Sequence, residues 1–254
     1  MRVGIIAAMN EELDLLVEKL ENRKTSVYGT LTLYQGTLFG IEMGLMLSGI
    51  GKVNAAVATT ILLDKFSPNY LINTGVAGGF GDVAVGDVVA ATEVRHHDAD
   101  LTAFNYEMGQ IPKMPAAFVV SEKLLLLVKS VAGTINLHYG PIMSGDSFIH
   151  DKKQTERILI NFPDICAVEM ESAAIAQTCY LFKTPFLILR AISDKVEDEA
   201  SKNTYTLSME DAARNSIHCV MALLQELRMN VTVGCHFDDS LSFSCPSSDM
   251  AINS

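Results

Sequence analysis

Residues 167–194 read AVEMESAAIAQTCYLFKTPFLILRAISD, and their pattern decides the fold class. Glu169 and Glu171 flank Met170 at the head of an apolar segment. From Ser172 to Phe182, residues Ala173, Ile175, Ala176, Cys179 and Tyr180 recur at helical spacing. Thr184-Pro185 ends that helix, because proline has no N–H to continue it. Phe186 to Ile192 is then a continuous apolar run broken only by Arg190, which reads as a buried strand ending on Ser193-Asp194. In open α/β sheets, ligands sit just beyond the carboxyl ends of the strands. The unit therefore brings two acids to the mouth of a helix and a third to the tip of a central strand.

Each acid has an ordinary explanation when taken singly. Glu169 and Glu171 would complement a helix N-terminus, and Asp194 would be a turn residue leaving a strand. Together they exceed what end-capping needs. An arginine inside an apolar strand also requires a partner, because buried charges are paired.

The same alternation of strands and helices runs through most of the chain. Val3–Ala8 reads as a strand, and Asn10 as the N-cap of a helix over residues 11–20 with Leu13, Leu16, Val17 and Leu20 on one face. Residues 27–47 read as strands with turns near Gly29, Gly36 and Gly40. A helix opens at Gly49-Ile50-Gly51, with Val53, Val57, Thr60 and Ile61 as its apolar face. Tyr70–Asn73 reads as a strand running into the glycine-rich stretch 74–79, and Gly86–Val94 as another. Residues 96–115 form a long segment rich in Asp, Tyr, Phe and Gly, and loops of this length are functional or interfacial. His96 and His97 within it read as solvated. Further helices are expected over 121–132, 151–161 and 208–227, the last with Ala213, Ile217, Val220, Leu224 and Leu227 as its buried stripe, and a strand over 138–143. From Met229 the chain turns polar and Ser-rich, which divides it into a domain over 1–228 and a tail over 229–254 expected to be disordered. The fold class is a single layered α/β domain, its twisted central sheet mostly parallel or mixed and flanked by helices.

Composition narrows the function. With 254 residues, 49% hydrophobic and 19% charged, the chain suits one large soluble α/β domain or two small ones. A net charge of −11 and the lack of any basic cluster argue against a nucleic-acid partner. No apolar run approaches the roughly 20 residues of a membrane helix, and Met1-Arg2 leads into a strand without a signal-peptide pattern. The five cysteines are odd in number and irregularly spaced, which fits a reducing cytoplasm better than a disulfide framework or a zinc site. The glycine stretch at 74–79 matches neither a dinucleotide nor a nucleotide-triphosphate loop, so no cofactor is expected.

No Ser-His-Asp or Cys-His nucleophile set emerges. The strand ends offer carboxylates (Glu12, Glu169, Glu171, Asp194) among apolar side chains (Met9, Ile50, Phe148, Met170). Carboxylates in apolar pockets titrate high and serve as general acid or base near neutral pH. Acids on both sides of an electron-poor sugar carbon are the pattern of glycoside cleavage.

Seven blocks then point to a family. IIAAMNEEL at 5–13, SGIGKVNAA at 48–56, NTGVAGG at 73–79, HDADLTAFNYEMGQIP at 97–112, SGDSFI at 144–149, AVEMESAAIA at 167–176 and RAISD at 190–194 resemble bacterial 5′-methylthioadenosine/S-adenosylhomocysteine nucleosidases of the nucleoside phosphorylase superfamily. The resemblance covers about residues 1 to 228, in order. It implies hydrolysis of the adenine–ribose bond, releasing adenine and a 5-thio-ribose, by a metal-free homodimer. It assigns Asp194 as the general acid on adenine N7, oriented by Ser193, and Glu12 as the residue that activates water. Glu171 would bind the ribose hydroxyls and stay ionised, with Met170 packed on the ribose. Phe148 and the Ile149 backbone would hold adenine, and Arg190 would position the water or the acids. Met9, Ile50 and Tyr205 would line the alkylthio pocket, reached from the neighbouring subunit by Leu101, Phe104, Tyr106 and Pro112. Val76 stands where the family usually has serine, and residues 195–206 diverge from the family pattern.

Two rivals follow from the same residues. A purine nucleoside or methylthioadenosine phosphorylase of this fold would need arginines for phosphate, yet none lies between Ala7 and Glu12 or beside the Gly75–Gly79 loop. A catalytically idle nucleoside binder would not need all three acids.

Overall fold

The computed structural model describes residues 1–131, 136–196 and 201–232. Ten strands form one mixed sheet. They are β1 (Arg2–Ala7), β2 (Glu21–Tyr28), β3 (Leu31–Leu38), β4 (Ile41–Leu47), β5 (Tyr70–Gly79), β6 (Val88–His96), β7 (Phe118–Val119), β8 (Leu137–Ser144), β9 (Ala167–Glu169) and β10 (Phe186–Lys195). The helices are α1 (Asp14–Glu18), α2 (Lys52–Phe66), α3 (Glu122–Val131), α4 (Lys152–Asn161), α5 (Ser172–Phe182) and α6 (Ser201–Thr232).

The sheet order is β10-β6-β8-β9-β5-β1-β4-β3-β2, with β10 also pairing with β5. That last pairing closes β5, β10, β6, β8 and β9 into a ring, while β1 to β4 extend as an open wing. Parallel pairs (β1 with β4 and β5, β10 with β5, β8 with β6 and β9) mix with antiparallel ones. The sheet is thus the expected twisted α/β core, mixed rather than mainly parallel.

Side chains alternate across it with the period of 2 that a strand imposes. On β10, Leu187, Leu189 and Ala191 enter a core under α1, α3 and α6, while Phe186, Ile188 and Ile192 enter a second core under α2 and α5. The buried stripe of α6 includes Ala213, Ile217, Val220, Leu224 and Leu227, as its spacing predicts.

Several expectations need correction. The helix expected over 11–20 is a 3-10 turn at Asn10–Glu12 followed by the short α1, because the Glu12 side chain folds back onto the amides of Ala8 and Met9. Gly36 lies within β3 rather than at a turn; an added Cβ would stand 2.6 Å from the Glu21 carbonyl oxygen. On α2 the buried face is Ala55, Ala58, Thr59, Leu62, Leu63 and Phe66, and Val53 and Val57 turn outward. His96 and His97 are buried, not solvated. Helix α6 continues through Thr232, past the change of composition at Met229. Residues 233–254, most of the expected tail, lie outside the described residues, as do residues 197–200 of the divergent segment.

Candidate active site

Helix α5 and strand β10 take the form that the opening stretch predicts, and they aim its acids differently. Helix α5 begins at Ser172 with Glu171 as its N-cap residue and ends at Lys183 in the left-handed region (φ 56°). Glu169, at the end of β9, fulfils the ordinary capping role. Its Oε2 accepts the amides of Glu171 at 3.0 Å and Ser172 at 2.9 Å. Ser144 Oγ donates to the other oxygen, Glu169 Oε1. Glu171 is free of that duty. Its Oε1 accepts the Gly51 amide at 2.8 Å, and its carboxyl lines a cleft.

Arg190 has the partners a buried charge demands. Its Nη2 lies 2.6 Å from Glu169 Oε2, 2.7 Å from Asn73 Oδ1 and 3.7 Å from Glu171 Oε2. It lies behind the cleft wall, not on its lining. Gly75 makes room for it, since a Cβ there would overlap the guanidinium and stand 2.8 Å from Glu12 Oε1.

Strand β10 runs on past Ile192 to Lys195 and carries Asp194 within it. Its register against β5 slips between Ile192 and Asp194, so Ser193 is the extra residue of a bulge. Strict alternation would send Asp194 into the apolar core with Ile188 and Ile192. The bulge resets the phase and re-aims the carboxyl, the device such bulges supply beside active sites.

Glu12, Glu171 and Asp194 meet in one cleft that is open to solvent. Its lining includes Met9, Glu12, Ile50, Val76, Phe148, Met170, Glu171, Ser193, Asp194 and Tyr205. A smaller hollow adjoins it, bounded by Ile149 and Val196 and sharing Phe148, Met170 and Asp194. The Phe148 ring meets Tyr205 edge-on at 5.5 Å, and the Tyr205 hydroxyl lies 3.7 Å from Met9 Sδ. Leu101, Phe104, Tyr106 and Pro112 do not reach this cleft from the same chain, and Phe104 is 73% exposed.

Each acid has its own electrostatic setting. Burial lifts the Glu12 carboxyl above the ordinary range, against the pull of Arg190 and of the amides of Met9, Val76 and Ala8. Burial also lifts Glu171, to about 7, with Glu169 adding repulsion and Arg190 and the Gly51 amide opposing. Burial thus works against a Glu171 that stays ionised, while Arg190 and the Gly51 amide work for it. Asp194 is raised by burial, with one opposing hydrogen bond from Ser193 Oγ at 2.8 Å. Its other oxygen, Oδ2, is buried and has no hydrogen-bond partner among the described residues. Among the described residues, no group of His, Cys, Asp or Glu is arranged to hold a metal ion.

Comparison with known proteins shows the family. Residues 2–225 match the model of the phosphorylase superfamily. A 5′-methylthioadenosine/S-adenosylhomocysteine nucleosidase of Maridesulfovibrio salexigens is 56% identical over 231 residues, 89% of this chain and all of that protein. The chain belongs to this nucleosidase family. A solved family member from Neisseria meningitidis, in complex with methylthio-immucillin-A, superposes with a TM-score of 0.86 at 44% identity, covering 88% of this chain and 98% of that one. The Colwellia psychrerythraea nucleosidase in complex with adenine gives 0.86 at 43%, covering 89% and 96%.

Some functional partners escape sequence reasoning. Asn73 and Ser172 hold Arg190, and the amides of Ala8, Met9 and Val76 hold Glu12. Backbone donors carry no residue-type signal. The odd Arg190 in its apolar strand was the one pointer to this buried network.

Proposed function

We propose that this chain hydrolyses the N-glycosidic bond of 5′-methylthioadenosine and S-adenosylhomocysteine, releasing adenine and the 5-thio-ribose. The observation that carries the reading is the buried Asp194 Oδ2, partnerless, in the same cleft as Glu12 and Glu171. A carboxyl raised by burial keeps its proton to higher pH than an exposed one, and here one oxygen is free to deliver it.

In this reading adenine occupies the smaller hollow against Phe148 and the Ile149 backbone. Asp194 protonates N7 as the bond from the sugar carbon to N9 breaks. Glu171 lies beside the sugar with Met170, and the developing positive charge draws it towards its ionised form. Water attacks from the Glu12 side, its oxygen bonds to the sugar carbon, and Glu12 takes its proton. Arg190 acts from behind, holding Glu169 and offsetting charge at Glu12 and Glu171. Met9, Ile50 and Tyr205 line the alkylthio end.

The rest of the lining comes from a second copy of the chain. Phe104 and, on α2, Val53 and Val57 expose apolar surface that a homodimer would cover. Leu101, Phe104, Tyr106 and Pro112 then reach the neighbour's cleft. The free thiols of Cys166, Cys179 and Cys219 fit a cytoplasmic setting.

The test is adenine release from methylthioadenosine, S-adenosylhomocysteine and 5′-deoxyadenosine, with and without phosphate. Phosphate-independent release is expected. A strict phosphate requirement would replace the reading with a phosphorylase, although Glu12 would repel that anion.

A further inference from the structure

Three loops meet at the Glu171 side of the cleft, and three charged residues tie them together. Lys52 opens α2. Its Nζ lies 2.6 Å from Asp98 Oδ1, at the start of the long segment after β6. The other Asp98 oxygen, Oδ2, accepts the Asp146 amide at 3.0 Å, in the loop after β8. Asp146 Oδ1 in turn accepts the Lys52 amide at 2.8 Å. These bonds close a ring through three separate segments.

The ring sits one residue from the site. The Gly51 amide, adjacent to that of Lys52, donates to Glu171. Gly51 has φ +97°, which glycine tolerates, and an added Cβ would stand 3.2 Å from Asp146 Oδ1. Two successive amides of one turn are thus each held by a carboxylate, Glu171 on the cleft side and Asp146 behind. Phe148 of the cleft lining lies two residues beyond Asp146. Lys52 and Asp98 side chains are only 21% and 30% exposed, so their pairing is less screened than a surface ion pair.

We propose that Lys52, Asp98 and Asp146 are positioning residues that hold the Gly51 amide on Glu171 and so set the ribose end of the cleft. For its catalytic consequence the proposal rests on the nucleosidase reading. Glu171 is faced by Glu169 on β9, Arg190 on β10, Glu12 after β1 and Tyr205 on α6. Of the groups that favour its ionised form, Arg190 is fixed by Glu169 and Asn73, whereas the Gly51 amide depends on the ring. Loosening the ring withdraws that amide and makes Glu171 harder to ionise.

The experiment compares the full-length chain with Asp98→Asn, Lys52→Met and the conservative Lys52→Arg. Carbon-13 titration of the Glu171 carboxyl reads the link directly, and the pH profile of kcat/KM for adenine release reads its effect. In Asp98→Asn and Lys52→Met, the Glu171 titration and the acid limb of kcat/KM should both move to higher pH. Activity near neutral pH should fall about tenfold or more, the scale of one hydrogen bond to a charged group. Lys52→Arg should stay near wild type. An unmoved Glu171 titration overturns the proposal, even if activity falls, and so does unfolding of both Asp98→Asn and Lys52→Met. A wild-type chain that releases no adenine refutes the nucleosidase reading instead, and the Glu171 titration still decides the clamp.

Discussion

At the end of β1, Glu12 receives three backbone amides, from Ala8, Met9 and Val76, at 2.9 to 3.0 Å. At the end of β10, Asp194 receives one serine hydroxyl and leaves an oxygen bare. Both carboxyls are buried and both titrate above their ordinary range. The difference lies in what each is built to do. A carboxylate with fixed donors on its oxygens is oriented and partly compensated as an anion. A carboxyl with a bare buried oxygen is stabilised as the neutral acid. The fold thus presents an acceptor and a donor on two walls of one cleft, using the same functional group twice.

Asp194→Asn breaks the donor wall most severely. Loss of a general acid costs about 100-fold to 10,000-fold, and adenine release should fall by that scale while adenine binding is largely kept. The folded chain should not suffer. A carboxyl whose folded pKa is raised contributes stability below its unfolded pKa and loses it as pH rises through the folded value. Asparagine has no such dependence. Melting temperatures of variant and wild type should therefore agree in acid, with the variant higher near neutral pH. A variant that melts well below wild type at every pH would show Asp194 to be a structural residue.

Glu12→Gln should injure both activity and fold. The amide NH₂ of glutamine turns a donor towards backbone N–H groups on one side or the other, leaving a buried donor unsatisfied. That costs about 1–3 kcal/mol, visible as a lowered melting temperature at neutral pH. Activity should fall with it. Equal melting temperatures for Glu12→Gln and Asp194→Asn would erase the contrast between the two walls.

A smaller effect is expected from pH alone. Glu171 titrates near 7, so its ionisation should raise kcat/KM as pH increases through that value, while ionisation of Asp194 should lower it. Stability should run the other way. Glu171 is raised, so stability present in the ordinary glutamate range is lost as pH climbs through about 7, and the raised Glu12 and Asp194 act in the same direction. Melting curves and initial rates across the same buffers check both slopes, and a melting temperature that climbs from pH 5 to pH 7 would contradict the shifts.

Much of this layout is legible in the sequence because it rests on local rules. The span of α5 follows from its apolar spacing and its Thr184-Pro185 stop, and the buried stripe of α6 from its period. What escapes depends on three-dimensional fit. On α2 the valines look like the core face, yet packing against α5 and the sheet buries Ala55 and Ala58 and leaves Val53 and Val57 outward. The bulge at Ser193 is invisible to a period of 2, because one extra residue changes the phase without changing composition. His96 and His97 read as solvated, but His96 finds Gln177 at 2.9 Å and burial lowers both pKa values. Glu169 and Glu171, two residues apart in the same block, are alike in sequence and opposite in use.

Val76→Ser offers the finest probe of the acceptor wall. Val76 lines the cleft and packs against the core, while its amide holds Glu12 Oε1 at 3.0 Å. The substitution keeps that amide and adds a hydroxyl beside the place where Glu12 would hold water. It also removes two buried methyl groups, with a stability loss of about 1 to 2 kcal/mol. If the water is already positioned by Glu12 alone, kcat should change by less than about threefold, within what one neutral hydrogen bond contributes. The change should be upward in kcat with KM unmoved, because a hydroxyl there meets the attacking water and not the nucleoside. A large fall in kcat would mean that the valine methyls, by keeping bulk solvent away from Glu12, do more for the acceptor wall than the amides behind it.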